Sequence, residues 1–220
     1  NNLDKELKKK LKLPKQAEIK NKLEEIEKKA EFDDVRVVVY SQVKKTGIKK
    51  TPDISEIGLA GSLEEKWGFI KEHLKKEISV LEIFKKGQLV DLRGLTKGKG
   101  FSGPVKRFGI KLKQHKSEKG RRRPGSLGPW HPARVTFRTP MAGQLGMFTR
   151  IIYNSKIIDI GKAEEKKKIL KNITHFGNIK TEYIIVSGSA QGPAKRQLLV
   201  THALRPTKSQ LKKDFELVER

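Results

Sequence analysis

The chain contains no cysteine. That excludes disulfides, thiolate metal sites and cysteine catalysis, and it is compatible with a reducing, cytoplasmic setting. Aromatic residues make up only 6% of the sequence, so a protein that stacks many bases of a single strand is disfavoured against one that reads phosphate and shape. Long apolar runs are missing as well. Val37-Val38-Val39-Tyr40 and Tyr183-Ile184-Ile185-Val186 fall far short of the ~20 residues of a membrane span, and no signal peptide is visible. The most telling scarcity is local. Between Gly94 and Lys156 there is a single acid, Glu118, against fifteen Lys and Arg.

That stretch also holds 10 of the chain's 19 glycines and 5 of its 9 prolines, so a long helix is disfavoured there. It has too few periodic apolar residues to bury a core of its own, and its charge repels itself. Such a segment orders when a polyanion surrounds it, and structured RNA is the leading partner. The formal charge of the whole chain is +25, and its concentration here reads as a binding footprint. Near the middle, Arg121-Arg122-Arg123-Pro124-Gly125 leads into Leu127-Gly128-Pro129-Trp130-His131-Pro132. One large aromatic is thereby mounted between prolines at the tip of a loop.

At 220 residues and 35% hydrophobic content the chain suffices for one ordinary domain with appendages. Two apolar stripes, Leu3, Leu7, Leu11 and then Ile19, Leu23, Ile26, Ala30, flank Pro14 and predict a charged helical segment over 1–31. Val35 to Val43 reads as a strand and 44–58 as a loop. Ser62-Leu63-Glu64-Glu65 fits a capping box opening a helix over 62–76, with Leu63, Trp67, Ile70 and Leu74 inward. Ser79 to Glu82 repeats the box and predicts one turn through Phe84. Leu89, Leu92 and Leu95 mark a strand entering the basic segment. Phe148 to Tyr153 and Lys156 to Ile160 read as two strands joined by a hairpin at Asn154-Ser155. A short charged helix is expected over 163–172, and strands at Tyr183–Val186 and Gln197–His202. The expected class is mainly β with helical additions (α+β). Its core comprises 32–93 and 151–205, a basic extension occupies 94–150 with its tip near Trp130, and a polar tail runs over 206–220.

Motifs for chemistry fail on inspection. Gly98-Lys99-Gly100-Phe101-Ser102-Gly103 has the spacing G-x-G-x-x-G, but Pro104 follows directly and Arg121–Arg123 stand where a ribose-binding acid is needed. Gly94 to Gly100 resembles a phosphate loop with a spacing one short and Gly100 in place of the magnesium-binding hydroxyl. His73, His115, His131, His175 and His202 show no metal-ligand spacing, and no catalytic constellation is legible. No cofactor, small-molecule substrate, metal or enzymatic activity is expected. The candidate RNA contacts are Lys97, Lys99, Lys106, Arg107, Lys111, Lys113, His115, Lys116, Arg121, Arg122, Arg123, Trp130, His131, Arg134, Arg138 and Arg150. Arginine forks suit phosphate and stack on bases, and a flexible glycine backbone beside Lys97 and Lys99 approaches phosphates closely.

The ordered series Gly94-Leu95-Thr96-Lys97-Gly98-Lys99-Gly100-Phe101-Ser102-Gly103, Arg121-Arg122-Arg123, Gly128-Pro129-Trp130-His131-Pro132-Ala133 and Gly143-Gln144-Leu145-Gly146 resembles the ribosomal protein L three family of the large subunit, in its archaeal or eukaryotic form. A looser likeness runs through Gly87–Asp91, Asn154–Gly161 and Gly188–Arg196. The resemblance implies a translation-protein-type β-barrel whose extension threads ribosomal RNA toward the peptidyl transferase centre, with a part in early subunit assembly. It implies large-subunit ribosomal RNA and neighbouring ribosomal proteins as partners, and no membrane. Members of the family begin with a basic arm and further barrel strands. These are not found before Asn1, so either the chain is a fragment or that portion is separate or not included, and completion of the barrel by another segment or by ribosomal neighbours is expected. The competing class is a non-ribosomal basic nucleic-acid binder or RNA chaperone, which predicts terminal tails or groove-reading helices in place of an internal excursion.

Overall fold

The computed structural model describes residues 5–12, 32–74, 76–164 and 170–214. It is an α+β chain of antiparallel sheets and short helices, divided into two compact units. The first unit comprises 1–88, 156–187 and 211–220, and the second 89–155 and 188–210.

In the first unit, α1 (Lys5–Leu11) buries Leu7 and leaves Leu11 exposed, so of the two described residues of the predicted stripe one reaches the core. The second stripe and the expected helix over 13–31 lie outside the described residues. Strands β1 (Arg36–Tyr40) and β2 (Ile54–Gly58) pair antiparallel from Arg36↔Gly58 to Tyr40↔Ile54. This corrects the predicted loop over 44–58 and shortens the strand expected over 35–43. Val43 instead opens the single turn α2 (Val43–Thr46), which Gly47 ends in the left-handed conformation. Only Ile54 and Ile57 signalled β2, too weak a pattern to read without the partner strand it pairs with.

The capping box is present in α3 (Leu63–His73). Ser62 Oγ accepts from Glu65 N at 3.4 Å, and Glu65 Oε2 accepts from Ser62 N at 3.0 Å, an arrangement that stabilises a helix start by about 1 kcal/mol. Its inward face differs from expectation. Trp67 is half-buried edge-on to Phe32, whereas Leu63 and Leu74 are exposed. The second box also differs. At α4 (Val80–Ile83) the Ser79 hydroxyl donates to Glu182 Oε1 at 2.7 Å and Val80 N donates to Glu182 Oε2 at 2.8 Å. Glu182, from far along the chain, fills the role assigned to Glu82.

Glu182 belongs to β7 (Glu182–Val186), which pairs antiparallel with the second half of β6 (Thr149–Lys162). Ala163, Leu170 and Tyr183 form a buried cluster beneath this pair, with Ile179 and Ile185 packed on it, and Tyr183 Oη donates to Asp159 at 2.8 Å. Of the helix expected over 163–172, residues 165–169 lie outside the described set, and 170–172 are turn. Lys156 is buried, its ammonium donating to the carbonyls of Leu211 (3.1 Å) and Lys213. It thereby secures the end of the single-turn helix α5 (Lys208–Leu211), all that is helical in the described part of the expected tail.

The second unit is organised on β3 (Leu89–Leu95), flanked by β8 (Leu199–His202) and the first half of β6. β8 pairs antiparallel from Val90↔His202 to Arg93↔Leu199. Leu89, Val90, Asp91 and Leu92 are successive buried residues, the mark of a strand covered on both faces. Asp91 is fully buried among them. Its Oδ1 accepts from Asn154 N at 2.9 Å and its Oδ2 from Leu204 N at 3.3 Å, so one carboxylate joins β3 to both neighbours. This bond explains why the expected hairpin at Asn154-Ser155 does not form. Asn154 takes the left-handed conformation, φ 57°, presents its N–H to Asp91, and the strand runs on to Lys162.

Candidate nucleic-acid interface

Between β3 and β6 the chain makes its long excursion, and the root of that excursion is structured. Thr96 N donates to Phe148 O at 3.0 Å, Phe148 N to Thr96 Oγ1 at 3.1 Å, and Lys99 N to Leu145 O at 2.9 Å. Strands β4 (Gly100–Ser102) and β5 (Gly143–Leu145) then pair antiparallel, Gly100↔Leu145 through Ser102↔Gly143. The segment therefore leaves and returns as a two-stranded ribbon. Glycine makes the ribbon possible. At Gly146, φ +79°, a Cβ would stand 2.0 Å from Lys97 O, and at Gly94 one would stand 2.5 Å from Leu198 Cδ2. Gly94 and Gly146 serve close packing within the protein, whereas a Cβ at Gly100 or Gly103 would meet nothing within 4 Å.

A helix does begin after the G-x-G-x-x-G spacing. α6 (Pro104–Phe108) has Gly103 at its N-cap, Pro104 in its first turn, and Gly109 in the left-handed conformation at its end. It is a single turn, and its purpose is visible in Arg107. The guanidinium donates from Nη1 to Met141 O at 2.9 Å and from Nε to Gln144 O at 3.1 Å, tying the outgoing chain to the returning one.

From 110 to 142 the chain has no helix or strand. Beyond the Arg107 clamp at Met141 it folds back on itself through bonds within the loop. Lys113 N donates to Arg121 O (3.1 Å), Arg121 Nε to Lys113 O (3.3 Å), and Thr139 Oγ1 to Leu127 O (2.9 Å). The last contact closes a loop with Trp130 and His131 between its ends. Trp130 is 87% exposed, far from any core role.

Of the sixteen residues singled out in the sequence, Lys97, Lys99, Lys106, Lys111, Lys113, His115, Lys116, Arg121, Arg122, Arg123, Trp130, His131, Arg134, Arg138 and Arg150 are exposed. Arg107 is half-buried in its carbonyl clamp. Among the described residues, no cation of the excursion is ion-paired to a carboxylate, whereas Arg36, Lys45, Lys49 and Lys66 each have an acidic partner. An unneutralised positive field over a surface with a single acid, Glu118, attracts polyanions and repels cations. Sequence reasoning passed over the exposed phenylalanines. Phe101, and above all Phe137 at 92% exposure, stand in solvent among these charges. Arg–Phe neighbours recur, with Arg107, Arg138 and Arg150 at 5.1, 5.7 and 5.1 Å from the ring centres of Phe108, Phe137 and Phe148. The signal available for Phe137 was an aromatic set between Arg134 and Arg138 inside the acid-poor loop.

Among the described residues no group of His, Asp and Glu is arranged to hold a metal ion, and no helix is long and apolar enough to cross a membrane. What remains defines a class: an antiparallel α+β body with one long, cationic, acid-poor loop inserted between two neighbouring strands. Comparison with known proteins makes that class specific. The sequence profile of the family described as ribosomal protein L3 matches residues 4–219, and the chain belongs to that family. It is 41% identical over 216 residues to the large ribosomal subunit protein uL3 of Methanocaldococcus jannaschii, covering 96% of this chain and 64% of the relative. The uL3 protein of Archaeoglobus fulgidus is 42% identical over 214 residues, with 95% and 64% covered. That of Methanococcus vannielii is 40% identical over 208 residues, with 92% and 62% covered. The chain thus spans just under two thirds of the length of these relatives.

Proposed function

We propose that this chain is a structural constituent of the large ribosomal subunit, acting in the cytoplasm, that binds ribosomal RNA and has no chemistry of its own. In this reading 94–150 is an extension that penetrates ribosomal RNA and reaches toward the peptidyl transferase centre. Residues 32–93 and 151–205 are the body that holds it, a barrel of the translation-protein type. The antiparallel pairing of β3, β6, β7 and β8 supports that assignment, and membership of the family supports the partners: large-subunit RNA, neighbouring large-subunit proteins, and a part in early assembly.

The observation that carries the reading is the excursion's charge, fifteen Lys and Arg facing one acid from Gly94 to Lys156, all exposed except the half-buried Arg107 and the buried Lys156, which pairs with Asp214. A segment so charged and so poor in apolar contacts orders against phosphates, and releasing their counterions makes the association salt-dependent. The candidate contacts divide accordingly. Lys97 and Lys99 lie at the root, Arg121, Arg122 and Arg123 along the arm, and Trp130 with His131 at the tip. The test is co-sedimentation with large subunits through a high-salt wash. An integral subunit protein stays, and a loosely held basic binder is stripped, which would overturn the proposal.

A further inference from the structure

We infer that Phe137 and Arg138 form a stacking site for one unpaired nucleobase, separate from Trp130, on the returning arm of the extension. The inference rests on the proposed RNA-binding reading and names a ligand class and a site within it.

Phe137 is the most exposed large apolar side chain among the described residues, at 92%, and exceeds even Trp130. It lies in a segment without helix or strand, so no neighbouring strand or helix face of the segment covers its ring. The Arg138 guanidinium lies 5.7 Å from the centre of its ring, within cation–π range. Arg134, Val135, Thr136, Phe137 and Arg138 line one shallow, solvent-open depression. Its chemistry is one free aromatic face, an arginine at each end and no carboxylate. A planar, electron-rich ring attached to a phosphate satisfies all of these, with the base on Phe137 and neighbouring phosphates on Arg134 and Arg138. An apolar socket of a protein partner would use the ring but leave two arginines to be desolvated without acids.

Full-chain variants Phe137→Ala, Phe137→Leu and Phe137→Trp would be compared with the parent for binding of transcribed large-subunit ribosomal RNA over a series of salt concentrations. Stacking predicts that Phe137→Ala weakens binding about 5- to 150-fold. The slope against salt should not change, because no phosphate contact is lost. Phe137→Leu, which restores apolar bulk without a π-face, should remain as weak as Phe137→Ala, and Phe137→Trp should bind at least as well as the parent. Base-specific chemical probing should show one unpaired nucleotide protected by the parent and by Phe137→Trp but reactive with Phe137→Ala. Full affinity for Phe137→Leu would overturn the inference in favour of apolar packing against the RNA without stacking. Unchanged affinity of Phe137→Ala, with the parent bound and its salt slope steep, would overturn it while leaving the RNA-binding reading in place. A parent chain that fails to bind the RNA at low salt would overturn both.

Discussion

Strand β3 and the loop that follows it are neighbours in sequence and opposites in physics. From Leu89 to Leu92 every side chain is buried, and even the charged one, Asp91, has both oxygens occupied by backbone N–H groups. From 110 to 142 no side chain is buried, and apart from the Arg107 bond to Met141 O the bonds named above link residues of the same loop. The first region is determined by contacts within the chain. The second has the composition of an interface without its other half. The boundary between them is sharp, because the ribbon of β4 and β5 and the Arg107 clamp separate a self-sufficient region from a dependent one.

Hydrogen exchange tests that contrast most widely. Amides of β3 should exchange only with cooperative opening, and most amides of 110–142 near the rate of free peptide, about 10³-fold apart or more. Comparable protection in both regions of the isolated chain would erase the distinction.

The next effect falls on the self-sufficient side. Asp91→Ala strands the N–H groups of Asn154 and Leu204 and should lower stability by about 2 kcal/mol or more, with a smaller loss for Asp91→Asn, which keeps one acceptor. A shift in the urea midpoint is the measure, and no shift would show that these bonds do not hold the strands.

On the dependent side, replacing Arg121, Arg122 and Arg123 by alanine should leave that midpoint unmoved. It should reduce the salt slope of ribosomal RNA binding by roughly 2 to 3 units, one phosphate per arginine. An unchanged slope would remove the arm from the binding surface. Trp130→Ala should likewise leave the melting temperature within about 1 °C, since a side chain 87% exposed loses little on truncation. A core tryptophan would instead cost about 3–5 kcal/mol.

The smallest effect is electrostatic and local. The Lys66 ammonium bonded to Asp34 holds that carboxyl below its usual 3.8, with the Val35 amide and Arg36 adding to it. A depressed carboxylate contributes stability above its unfolded pKa and loses it as pH falls through the folded value, so the contribution disappears in acid below about pH 4. Lys66→Met should move the Asp34 titration upward, as read by NMR.

How much of this was legible in the sequence follows the range of the forces involved. The capping box at Ser62 and the strand from Leu89 to Leu95 rest on neighbours in the chain or on dense apolar composition, and both are found where expected. The two-strand reading at Asn154-Ser155 failed because the bond that holds Asn154 within a continuous β6 comes from Asp91, 63 residues away. Glu182 displaced Glu82 at Ser79 for the same reason, at a separation of 103. The basic loop was legible through composition alone, since charge without acids needs no partner to be noticed. Phe137 was missed because one aromatic has no period, and only its exposure distinguishes it from a core residue.

The clamp at Arg107 has a consequence for how such a loop can change. Because it fastens to Met141 and Gln144 through their backbone carbonyls, it is indifferent to the side chains at those two positions. The direction in which the arm departs is encoded in about a dozen residues at its base, while its reach is encoded in the thirty or so beyond. Lengthening the far part adds only a slowly growing closure term. Aim and reach are therefore separately heritable: an arm of this design can be extended, trimmed or re-tipped without being re-aimed.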